Sequence, residues 1–162
     1  MADEKGDLRE HVRKTFGGIA TLQLYAHSGW AMVGAAILEE SLKRGLLQKM
    51  RPLSANMLKR LFDGYGPLST LSAKADLSFA LEILPPEAHA KLKLIQKIRN
   101  VFAHSDDIIN FGSPEIQALM LELGFSGPVA DAPEFYFIKI IEIESHLPPL
   151  EEGAEGKGSD NT

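Results

Sequence analysis

A helical pattern runs without interruption from about residue 19 to residue 48, and it is closed only by Arg51-Pro52, since a proline disfavours helical geometry in the residue before it. Within it Trp30, Val33, Ile37, Leu38 and Leu42 recur at steps of three and four, the spacing of one helix face. Gly29, Ala31, Gly34, Ala35 and Ala36 lie among them. Small side chains let a second helix come close. The segment therefore reads as the central, most buried helix of an all-α domain.

The remaining chain is punctuated in the same style. Residues 7–16 carry Leu8, Val12 and Phe16 on one stripe, with Asp7 as a cap and Gly17-Gly18 as an expected break. A short helix is predicted over 56–62, stopped by Asp63-Gly64-Tyr65-Gly66-Pro67, a turn by composition. Another follows over 69–84, with Leu71, Ala75, Leu77, Leu81 and Leu84 inward. Pro85-Pro86 closes it and opens a helix over 87–104, which carries Leu94, Ile95, Ile98, Val101 and Phe102 on one face. Ser113-Pro114-Glu115 starts a short helix that ends at Gly124. Residues 135–143, FYFIKIIEI, are rich in strand formers. Asp131-Ala132-Pro133-Glu134 before them is a helix start, and a lone strand would leave its backbone unpaired, so helix is expected. Residues 1–150 thus form one bundle of six or seven helices, and the Gly-rich polar residues 151–162 are expected to be a disordered tail.

Composition narrows the function classes. With no cysteine among its 162 residues, the chain has no disulfide framework, Cys-type zinc site or thiol nucleophile. Its N-terminal residues are charged throughout and no apolar run approaches the ~20 residues of a membrane span, so a cytoplasmic protein is expected, without a membrane partner. Net charge is −5, divided between +7 over residues 41–104 and −12 elsewhere. A basic middle between acidic ends suits either an anion-binding face or ordinary solvated helix surfaces. No helix-turn-helix with a basic recognition helix is evident, so direct, specific DNA binding is not expected.

Candidate chemistry is sparse. Gly64-Tyr65-Gly66-Pro67 lacks the preceding strand and the Lys-Ser/Thr of a phosphate loop and reads as a structural turn. His11, His27, His89, His104 and His146 include no pair three or four residues apart, so neither a helix-borne metal site nor a cofactor is expected. One cluster stands out: Arg99, Asn100 and His104. Asn100 and His104 are one turn apart on a helix, whereas Arg99 and His104 diverge by about 140°. A guanidinium grips phosphate and an imidazole moves a proton near neutrality. Equally, His104 could complement the helix dipole, and Arg99 could pair with Glu39 or Glu40 of the central helix.

The run from Leu61 to Ser69 (LFDGYGPLS), then Ser72-Ala73-Lys74-Ala75-Asp76-Leu77, resembles the mannitol operon repressor (MtlR) family. So do the run from Lys97 to His104 (KIRNVFAH) and, less specifically, Ala35 to Leu42 (AAILEESL). The resemblance spans residues 28–123 and implies an all-helical bacterial transcriptional regulator without a recognised DNA-binding motif. Arg99-Asn100-x-x-x-His104 also resembles the signature of the HEPN superfamily. That likeness implies a metal-independent endoribonuclease in which Arg99 and His104 are the catalytic pair and Asn100 positions, with RNA as a partner. The expected function is a regulatory, protein-interacting helical domain that self-associates, and the ribonuclease is the alternative.

Overall fold

The computed structural model describes residues 2–149, and the expected tail over 151–162 lies outside them. Helix α1 spans Ala2–Lys49, α2 Ala55–Phe62, α3 Leu71–Ala80, α4 Pro86–His104, α5 Pro114–Glu122 and α6 Ala132–Glu144. A single 3-10 turn, Val129–Asp131, leads into α6. Among the described residues there is no strand, and none of their helices is long and apolar enough to cross a membrane. The strand-rich composition of residues 135–143 yields to helix. Pro133 in the first turn and the packing of Tyr136, Ile140 and Ile143 into the core decide it.

Two expectations about α1 need correction. Gly17-Gly18 does not interrupt it, and Asp7 lies inside it rather than at its cap. A helical glycine costs about 1 kcal/mol but leaves helical backbone angles accessible, so two of them weaken a helix without ending it. The buried face is also rotated from the one that hydropathy suggests. Ala31, Gly34, Ala35, Leu38, Ser41, Leu42, Gly45 and Leu46 face inward. Trp30, Val33 and Ile37 face out, exposed by 41%, 55% and 38%.

The small residues are inward because α6 crosses there. A Cβ at Gly34 would collide with Ile140 Cδ1 and come within 3.0 Å of Tyr136 Cε1. The Tyr136 hydroxyl donates to the Ala31 carbonyl at 3.1 Å, which satisfies a buried polar group across the contact. One turn further along, the Ser41 hydroxyl donates to Glu144 at 2.6 Å and Arg44 donates to Ser41 at 2.8 Å. The main core then gathers α1, α3, α4, α5 and α6 around Leu38, Leu92, Ile95, Ile98, Ile116 and Tyr136. A smaller cluster of Leu46, Phe62 and Leu68 seats α2 on the end of α1.

Helix α3 is shorter than predicted. It ends at Ala80, and Glu82 takes a left-handed φ of 57° in the turn that follows. Its buried stripe is Leu71, Lys74, Ala75 and Ser78, while Leu81 is exposed. The turn before α3 is tightly built: Leu68 N–H donates to Leu61 O at 2.8 Å, and a Cβ on Gly66 would lie 2.5 Å from the same oxygen. Tyr65 is left wholly in solvent.

His27 fastens α1 to the loop between α4 and α5. Its Nδ1 accepts the Phe111 amide at 3.2 Å, and its ring stacks on Trp30 at 5.3 Å between centroids. Burial holds the imidazole below its ordinary pKa of 6.5. The folded chain therefore resists the proton more than the unfolded chain. This contribution is complete above 6.5 and is lost as pH falls through the lowered value. In an NMR titration His27 is expected to titrate below 6.5, with Phe111 amide protection declining in step; titration at or above 6.5 contradicts the contact.

The rotation of α1 gives a paired test. Gly29 has open space where a Cβ would go, so Gly29→Ala should stabilise by about 0.5–1 kcal/mol. Gly34→Val should destabilise by about 1–3 kcal/mol through overpacking against α6. Urea midpoints read both, and equal shifts would show that Gly34 is not at a close crossing.

Candidate functional site

A cavity of about 640 Å³ opens between α1, the start of α3 and the later turns of α4. Met32, Val33, Ala35, Ala36 and Glu39 form one wall, Ser69, Thr70 and Leu71 a second, and Gln96, Arg99 and Asn100 the third. Each wall follows from local structure. Thr70 caps α3 by accepting the Ala73 amide at 3.2 Å, which fixes the first turn of α3 at the rim. On α4 the core claims Leu92, Ile95, Ile98 and Phe102, and this turns Gln96, Arg99 and Asn100 towards α1 and α3.

Arg99 has no acidic partner among the described residues. Its Nη1 donates to Asn100 Oδ1 at 3.1 Å, a neutral acceptor on the adjacent residue. The alternative pairing of Arg99 with Glu39 or Glu40 does not form. Glu39 is instead taken by Lys74, whose Nζ lies 2.6 Å from Oε1 while its side chain keeps only 4% of its exposure. In the sequence Lys74 is marked only by its place in the run from Ser72 to Leu77. The fold marks it by its place between Leu71 and Ala75 on the inward stripe of α3. The Arg99 charge is felt at the buried Tyr136 phenol, opposing the burial that pushes its pKa upward.

His104 lies outside the cavity. It is exposed in the last turn of α4, where a basic side chain complements the helix dipole. Arg99 and Asn100 therefore share one site and His104 does not join them. Asp106 and Asp107 follow in an exposed turn, with the Ser105 hydroxyl accepting the Asp107 amide at 3.2 Å. Among the described residues no group of three His, Cys, Asp or Glu side chains is placed to hold a metal ion.

The outer side of the same α1 segment is apolar. Trp30, Val33 and Ile37 follow one another at steps of three and four, with Met32 beside them and at the cavity rim. Sequence reasoning chose these residues for the core; the structure makes them a surface.

The fold is similar to that of MtlR. The match is to a chain in the X-ray structure of the MtlR–HPr complex from Escherichia coli, with a TM-score of 0.60, 82% of this chain and 98% of that chain covered. Sequence identity is 19%, so the likeness is one of fold. No family model matches this chain, and no curated protein matches it.

Glu39 stands in the α1 wall of the cavity, and its pairing with Lys74 can be tested on its own. Glu39→Ala strands a buried ammonium and should cost about 3 kcal/mol, the low end for such a loss because Glu39 is itself open to solvent. Adding Lys74→Met should recover most of that in thermal or urea melts. A single variant as stable as the parent would show that Lys74 escapes to water.

Proposed function

We propose that this chain is a regulatory, protein-interacting helical domain that binds a protein partner through the outward face of α1. The carrying observation is that Trp30, Val33 and Ile37 stand in solvent on a helix whose opposite face is packed. A contiguous exposed apolar patch marks an interaction site, and tryptophan, one of its three residues, is a side-chain type enriched among those that dominate binding energy. The fold likeness supports the reading, because the MtlR chain was crystallised with HPr, a protein partner. The resemblance of residues 28–123 to the mannitol operon repressor family implies a role in transcriptional regulation. With a net charge of −5, the chain leaves any DNA contact to a partner.

Self-association would use an exposed apolar face rather than the small residues of α1. The small residues Ala31, Gly34 and Ala35, which would let a second copy approach, are already packed within the chain. Light scattering of the free chain separates a dimer closed over this face from a monomer that presents it.

Calorimetric titration with HPr tests the proposal. Binding is expected, weakened about tenfold or more by Trp30→Ala and abolished by Val33→Glu, with both variants still folded because the positions are exposed. Absence of binding, or variants that bind like the parent, would overturn it.

A further inference from the structure

The cavity beside this face has a chemistry of its own. Glu39 is the one acid in its lining and is engaged by Lys74 at 2.6 Å. Arg99 is thus its one uncompensated charge: a half-buried guanidinium whose single hydrogen-bond partner among the described residues is the amide oxygen of Asn100. A charged group taken partly out of water is costly unless it is paired. The shortfall at Arg99 is a planar oxyanion's worth of acceptors, which a guanidinium takes in bidentate form. The Gln96 side chain, on the same face one turn earlier, has no hydrogen-bond partner among the described residues, and Ser69 lines the wall opposite. Met32, Val33 and Ala36 supply an apolar side. About 640 Å³ lies within the range of cavities that enclose small ligands.

We infer that this cavity is a binding site for a small organic oxyanion, a single phosphate or carboxylate group on a compact body, with the anionic head on Arg99 and the body against Ala36 and Val33. Arg99 is the one cation in the lining, and Lys74 is already taken by Glu39, so the ligand is singly headed. Val33 lines this cavity and also stands on the outward face of α1, so the test uses the free chain with no protein partner added.

The test is a ¹H–¹⁵N NMR titration of the full chain with phenyl phosphate in one arm and benzoate in the other, which separates the two kinds of head. Saturable shifts are expected at residues 69–71 and at the Arg99 Nε–H in at least one arm. Arg99→Gln should weaken binding about tenfold or more, the loss of a charge-assisted hydrogen bond. Ala36→Phe keeps the charge but fills the cavity from an exposed position, and should weaken binding as much. It also decides the matter if Arg99→Gln does not fold. Failure of both probes to saturate would overturn the inference, and so would undiminished binding to Ala36→Phe, since that would be attraction to surface charge.

Discussion

The close crossing of α1 and α6 governs the rest of this molecule. Gly34 leaves room for Tyr136 and Ile140, and Tyr136 repays the approach by donating to the Ala31 carbonyl. Dispersion between well-packed surfaces falls off within an ångström of gap, so the two helices meet along small residues rather than large ones. Once that face is committed inward, the helical period forces Trp30, Val33 and Ile37 outward. The apolar surface of the protein is therefore a geometric consequence of its core.

Charge placement follows from the same arrangement. With α1 fixed in rotation, Glu39 stands over the stripe of α3 that contains Lys74, and the two pair across the helices. The pairing leaves Arg99 on α4 without an acid, facing an open cavity. Had Glu39 met Arg99, the cavity would hold no uncompensated charge and Lys74 would be stranded inside the protein. One ion pair thus settles which cation is structural and which is available.

Much of the architecture is legible in the sequence because proline and glycine mark where helices stop. Pro52, the turn over residues 63–67, Pro85-Pro86 and Ser113-Pro114 all separate elements as expected, and the helix at residues 135–143 follows from Pro133 in its first turn rather than from its composition. Rotation of α1 is not legible by hydropathy. Trp30, Val33 and Ile37 form as regular a stripe as Ala31, Leu38 and Leu42, and the choice is made by the shape of α6, which lies a hundred residues away in the chain. At the candidate site, Arg99 and Asn100 stand out by residue type and do share a cavity, but His104 cannot be placed by spacing alone, because its divergence from Arg99 matters only once the end of α4 is known. Lys74 is hidden for a further reason: a lysine on a buried stripe makes sense only when its acid, on another helix, is in view.

The chain contains one tryptophan, and it lies on the outward face. Its fluorescence is therefore the most direct measurement of how α1 is turned and what the exposed stripe is for. An outward Trp30 should emit at the long wavelength of a hydrated indole and be quenched by acrylamide in the dilute free chain. On addition of HPr, the partner proposed for this face, the emission should shift to shorter wavelength and lose its quenching. Short-wavelength, quencher-resistant emission from the dilute free chain would contradict the arrangement, for it would mean that Trp30 is packed inside and that α1 presents another face to its surroundings.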